Sequence, residues 1–188
     1  MDEIVEQALR KWPNVPDCYG WLGLDARGQW HMRDAATQSR GPFPTLLHPA
    51  QHTVRGSCLR HDKLIAFIGR NYGVDARGCW FFQNGPQRVY IELEATPWVW
   101  RVRKLDHGEF TIHSHTGLHT HASDCWLDEV GRLYLTTPLG LGLVHSQDVL
   151  DAAEAVEAGL WHPQETGLGE LLARHGIVLS PTAHRHRR

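Results

Sequence analysis

Four histidines fall within one short segment, Ile112-His113-Ser114-His115-Thr116-Gly117-Leu118-His119-Thr120-His121. Imidazole is a common ligand for zinc, copper, iron and nickel, so the chemistry this run could support is transition-metal binding at His113, His115, His119 and His121. Whether they cooperate depends on the turn between them. A two-residue turn at Thr116-Gly117 pairs His115 with Leu118 and Ser114 with His119. Side chains alternate along strands, so His113 and His115 then occupy one face and His119 and His121 the other. A three-residue loop from Thr116 to Leu118 would bring all four to one face, but it puts Leu118 where such a loop favours glycine. The two-residue turn is therefore the expectation, with no four-histidine site and no cofactor. The alternative is a His-based protein or metalloenzyme holding zinc or another transition metal.

Other residues are candidates for different chemistry. Glu92 and Glu94 share one face of a strand, as a pair of acid–base carboxylates would. On a solvated face, though, nothing raises the pKa of either, and no catalytic residue is assigned. The chain holds 8 tryptophans. Trp98 and Trp100 share a strand face and, with Arg88 and Tyr90, form the ligand-binding candidate: an exposed aromatic platform marks a binding surface. Trp30 and Trp80 occupy matching positions two residues after a glycine, which favours a structural plug for each. Asp25, Asp75 and Asp128 lack the alternating oxygen ligands of a calcium loop. G-x-S-x-G, the Walker loop, H-E-x-x-H and G-x-G-x-x-G do not occur. The reading leans away from an enzyme.

Charge is nearly balanced, with 19 basic against 21 acidic side chains and a net charge of −2. Strong attraction to nucleic acid or to an anionic membrane is not expected of such a body. Only the segment 181–188, ending Arg185-His186-Arg187-Arg188, is basic, and it reads as a solvated tail. There is no apolar run of about 18 residues to span a bilayer, and Met1-Asp2-Glu3-Ile4 lacks the layout of a signal peptide. Cys18, Cys58, Cys79 and Cys125 are widely spaced without C-x-x-C, as reduced thiols of a cytoplasmic protein would be.

The elements that position these residues follow from a unit that occurs three times: Leu24-Asp25-Ala26-Arg27-Gly28-Gln29-Trp30, Val74-Asp75-Ala76-Arg77-Gly78-Cys79-Trp80 and Leu127-Asp128-Glu129-Val130-Gly131-Arg132-Leu133. Asp starts a tight turn and Gly takes the positive φ that closes it, so each unit predicts a β-hairpin. Residues 2–12 carry a helical apolar stripe ended by Pro13. Ser57 is read as the N-cap of a helix burying Leu64, Ile65 and Ile68, and Ser146 as that of a helix burying Leu150, Ala153 and Val156. Residues 34–56, with Gly41-Pro42-Phe43-Pro44, read as a loop. Along 88–94, Val89, Ile91 and Leu93 alternate with Arg88, Tyr90, Glu92 and Glu94, giving a core face and a polar, solvated face. The fold class is α+β, with antiparallel sheets from repeated β-hairpin-plus-helix modules. It forms a single domain over 1–180, divisible into subdomains 1–70 and 71–180.

The stretch Asn71 to Val102, with Asn71-Tyr72, Asp75-x-x-Gly78-x-Trp80-Phe81, Asn84-Gly85-Pro86-Gln87-Arg88-Val89 and Thr96-Pro97-Trp98, resembles an uncharacterised family of small proteobacterial proteins. Val15-Pro16-Asp17-x-Tyr19-Gly20-Trp21-Leu22 and the third unit extend the likeness over most of the chain. The strand–turn–strand ending in Pro97-Trp98 is also similar to a second bacterial family of unknown function, built from repeated α/β motifs and suggested to act in ligand binding or signalling. The resemblance implies fold and carries over no catalytic residue. The expected function is a non-catalytic ligand-binding or regulatory module with a small molecule or protein as partner. A third possibility is an interaction module that docks through exposed Trp98, Trp100 and Trp161.

Overall fold

In the computed structural model, which describes residues 1–185, the chain divides into two units. Unit one comprises Met1–Asp25, Gln29–Glu94 and the chain from Val178 onward; unit two comprises Ala26–Gly28 and Ala95–Ile177. Unit one runs α1 (Glu3–Lys11), β1 (Cys18–Leu24), β2 (Trp30–Met32), α2 (Ala35–Ser39), β3 (Ser57–Cys58), α3 (Asp62–Arg70), β4 (Tyr72–Val74), β5 (Trp80–Asn84) and β6 (Gln87–Leu93). Its sheet has the order β3-β2-β1-β6-β5-β4. All neighbours are antiparallel except β1 and β6, which run parallel with Leu22 opposite Ile91 and Leu24 opposite Leu93. Leu22, Leu24, Trp30, Val89, Ile91 and Leu93 fill one face of the sheet with apolar side chains. On α3, Ile68 is buried, Leu64 and Ile65 are half-buried, and Phe67 meets Phe82 edge-on at 6.2 Å.

The repeated unit does form hairpins. In each, the Asp N–H donates to the carbonyl four residues on: Gln29, Cys79 and Arg132. Gly28, Gly78 and Gly131 take φ of 77°, 79° and 83°. A fourth loop of the same geometry joins the next pair of strands. There Leu105 N–H donates to Glu109 and Gly108 has φ 87°, with Leu105 in the place of the aspartate.

Unit two runs β7 (Trp98–Lys104), β8 (Phe110–Ser114), β9 (His119–Thr120), β10 (Asp124–Leu127), β11 (Leu133–Thr137), β12 (Gly140–Val144), α4 (Val149–Glu157), β13 (Pro163–Glu165) and α5 (Leu168–Arg174). Its sheet has the order β13-β10-β11-β12-β7-β8-β9. Two antiparallel meanders meet at the parallel pair β12 and β7, and β13 adds parallel to β10. Trp100, Val99, Tyr134, Leu135 and Leu141 are buried in this unit with Leu168 and Leu171 of α5. After unit two the chain returns to unit one, where Val178 bridges Cys79 and α6 (Pro181–Arg185) follows.

Several expectations are corrected. The units part at Glu94/Ala95 and not at 70/71, because β6 is an inner strand held by β1 on one side and β5 on the other. Residues 181–185 of the expected tail are helical; residues 186–188 lie outside the described residues. Ser57 belongs to β3, and α3 is capped by His61, whose Nδ1 accepts from Leu64 N–H at 3.2 Å. Helix α4 buries Ala152 and Ala155, while Leu150 is 79% exposed and Ala153 also faces out. Among the described residues no helix is long and apolar enough to cross a membrane.

Candidate functional site

The polar face of unit one's sheet is covered, not solvated. Register places Gly23 of β1 beside His31 of β2 and beside Glu92 of β6. The two-residue period adds Asp25, Arg33 and Glu94 to that side. All five polar residues are buried, with His31 7% and Arg33 4% exposed. Burying charge is costly unless each group is partnered, and most here are. Glu92 accepts from the hydroxyls of Ser180 and Thr182, each at 2.6 Å, and from Thr182 N–H at 3.2 Å. Glu94 takes both arms of Arg55, with Nε at 3.0 Å. Asp25 accepts from Gln29 N–H and from His31 Nε2, both at 2.9 Å. Arg33 donates to the carbonyls of Gly20 and Gly41. The hydrogen bond and charge of Glu94 hold the Arg55 pKa up, whereas burial lowers that of Arg33, opposed by Glu92.

The cover is the proline-framed segment expected to be a loop. Helix α2 starts it, with Asp34 accepting from Thr37 N–H at 2.7 Å. Phe43, 4% exposed, then lies over Gly23, where any Cβ would run into its ring. Its centroid is 6.1 Å from that of His31 and 5.7 Å from the Arg33 guanidinium carbon. Beside it, two buried atoms make no hydrogen bond within the protein: His31 Nδ1 and Arg33 Nε. With Nε2 engaged by Asp25, Nδ1 is the ring's remaining hydrogen-bonding atom, and Arg33 Nε–H is a donor. Cys58 pairs with His31 across β2 and β3, but its sulfur lies 3.8 Å from Gln29 Oε1 and from the Leu59 carbonyl.

The sequence reading missed the Asp25–His31 pair. The repeat could have shown it. Six residues after the turn aspartate stand His31, Phe81 and Tyr134. In the third unit Tyr134 hydroxyl donates to Asp128 at 3.0 Å, as His31 does to Asp25 in the first. In the second unit Phe81 cannot donate, and Tyr90 hydroxyl takes the role for Asp75 at 3.0 Å.

The residues singled out from sequence sit elsewhere. Trp98 and Trp100 are buried and stacked at 5.8 Å, and each indole N–H is spent on a carbonyl: Leu139 at 2.7 Å and Leu135 at 2.9 Å. They are core, not an exposed platform, because β7 is an inner strand. Tyr90 is also buried, stacked on Tyr19 at 4.5 Å, while Arg88 is exposed over the Phe81 ring. Trp161 is half-buried. In the histidine hairpin neither loop considered from sequence forms. Ser114 N–H donates to the Leu118 carbonyl, so the loop is His115-Thr116-Gly117, with Gly117 at the third position and φ 87°. His113 therefore faces His119 on the same side of the sheet, their centroids 5.6 Å apart. Burial, with the charges of His119, Arg101 and Arg103, lowers the His113 pKa. His115 leaves the row: its N–H donates to the Val99 carbonyl, and its ring lies 5.8 Å from Trp98. Among the described residues no three His, Cys, Asp or Glu side chains converge on a point that could hold a metal.

The sequence model of the DUF2944 family, described as "Protein of unknown function (DUF2946)", matches residues 1–183. The chain belongs to this family. The expected kinship with an uncharacterised family thus holds over nearly the whole sequence. No curated protein matches it. Two solved structures are similar, both DUF1285 family proteins. That from Shewanella baltica OS155 is 14% identical with a TM-score of 0.44, covering 71% of this chain and 91% of its own. That from Silicibacter pomeroyi DSS-3 is 12% identical with a TM-score of 0.47, covering 82% and 84%.

Proposed function

We propose that the protein is a non-catalytic ligand-binding or regulatory module of the bacterial cytoplasm. It acts on a small molecule or a protein and not on nucleic acid or a membrane. The site is the polar layer of unit one beneath Phe43. One observation carries this: His31 Nδ1 and Arg33 Nε are buried without protein partners beside an aromatic ring that an irregular segment lays over Gly23. A buried group left unpaired costs about 1–3 kcal/mol, so a small oxygen-bearing ligand that supplied both partners would recover that cost. An anionic or carbonyl oxygen suits Arg33, and a hydroxyl suits His31. Phe43 holds the space in the free protein.

The test is an NMR titration of tag-free protein with phosphate, acetate and lactate, repeated on Phe43→Ala. Removing the ring should tighten binding of at least one probe by tenfold or more and shift the backbone amides of Gly23, His31, Arg33, Gly41 and position 43. If no probe shifts these amides in either protein, the reading is wrong.

A further inference from the structure

We infer that His113 and His119 form a two-point chelate for one divalent transition-metal ion of the imidazole-seeking kind, Cu2+ foremost, then Ni2+ and Zn2+. This site lies in unit two and is independent of the polar layer. The hairpin geometry carries it. Ser114 N–H donates to the Leu118 carbonyl across the strands, so by the alternation of an antiparallel ladder the next pair, His113 and His119, is of the non-hydrogen-bonded kind, in which facing side chains come closest. Their ring centroids stand 5.6 Å apart, within reach of one ion between them.

The two rings are differently held. His113 is half-buried and its Nδ1 is buried without a partner, which leaves Nε2 as the nitrogen available to an ion. His119 is exposed and can swing to complete the pair. The cations nearby are Arg101, opposite His113 on β7, and Arg103. Arg101 is compensated, since both arms are bound by Asp148. Among the described residues no carboxylate joins the pair, the nearby Asp148 being taken up by Arg101, so a hard ion such as Ca2+ or Mg2+ finds no carboxylate ligand there. Affinity among the softer ions follows the order that peaks at copper. Water or a small external ligand fills the remaining positions, which makes the ion exchangeable.

The test is Cu2+ titration of tag-free protein, read by electron paramagnetic resonance and by calorimetry, on wild type and on His113→Asn, His119→Asn, His115→Asn and His121→Asn. One equivalent should bind with a two-nitrogen signature. Loss of either chelating ring should weaken it by tenfold or more, while His115→Asn and His121→Asn leave it unchanged. His119 is exposed, so His119→Asn tests the site without threatening the fold, and circular dichroism checks His113→Asn. Wild type without a one-equivalent site, a site that survives His119→Asn, or one abolished by His121→Asn would each overturn the inference.

Discussion

Asp128 shows how much one side chain holds in this fold. It accepts from Val130 N–H at 3.1 Å, Arg132 N–H at 2.8 Å, the Arg132 guanidinium at 2.6 Å and Tyr134 hydroxyl at 3.0 Å. Burial alone would raise its pKa, but the hydrogen bonds from Arg132, Tyr134 and Val130 outweigh it and hold the carboxyl below the usual carboxylate value. A group with a depressed folded pKa adds stability that is fully present above its unfolded pKa of about 3.9 and is lost as pH falls through the folded value. Asp128→Asn should therefore cost about 2 kcal/mol at pH 7. Urea denaturation across pH should show the gap to wild type narrowing only below about pH 4. The turn role of such aspartates was legible from Asp-x-x-Gly alone. The burial of Glu92 and Glu94 was not: alternation marks a polar face, while what covers it comes from Arg55, Ser180 and Thr182, the last 90 residues away in sequence.

At the scale of elements, α4 illustrates the difference between finding a helix and orienting it. Its sequence has apolar residues on more than one side, so periodicity alone leaves the rotation open. The rotation is set where β12 runs out at Val144, opposite Trp100 of β7. Beyond that point the N–H groups of Val102 and Lys104 have no strand partner on that edge, and the carboxylates of Asp148 and Asp151 accept from them at 3.1 and 2.9 Å. The acidic residues thus face the sheet edge, Ala152 and Ala155 pack, and Leu150 turns to solvent. Leu150→Ala should change stability by no more than about 0.5 kcal/mol. Ala152→Leu should cost about 1–3 kcal/mol by overpacking. Equilibrium denaturation of the two variants distinguishes this rotation from the one expected from sequence, which reverses the ranking. The histidine hairpin teaches the same lesson: a loop one residue earlier, chosen by Gly117, moved every pairing.

At the scale of the whole chain, unit one is discontinuous. Residues 178–182 supply its Val178–Cys79 bridge, the Leu179 carbonyl that accepts from Leu93 N–H at 2.8 Å, and the hydroxyls on Glu92. A chain cut after Ile177 should leave the Glu92 carboxylate without those donors. Unit one should then lose several kcal/mol, since a buried charge is stranded. Glu92→Gln should restore part of the loss in the cut chain while destabilising the intact one. Opposite signs of that single substitution in the two backgrounds, measured by urea denaturation, are the expected result; equal signs would show that the segment acts only through packing.

The return of this segment also sets an order of events during synthesis. β1 to β6 leave the ribosome long before residues 178–182 do, and Ala95–Ile177 of unit two are made in between. Unit one cannot reach its final state while it is the only part of the protein outside, so it waits with an open edge beside Leu93 and an unquenched charge beneath it. The half that is made first is finished last, and in that interval it is the part most exposed to chaperones and proteases.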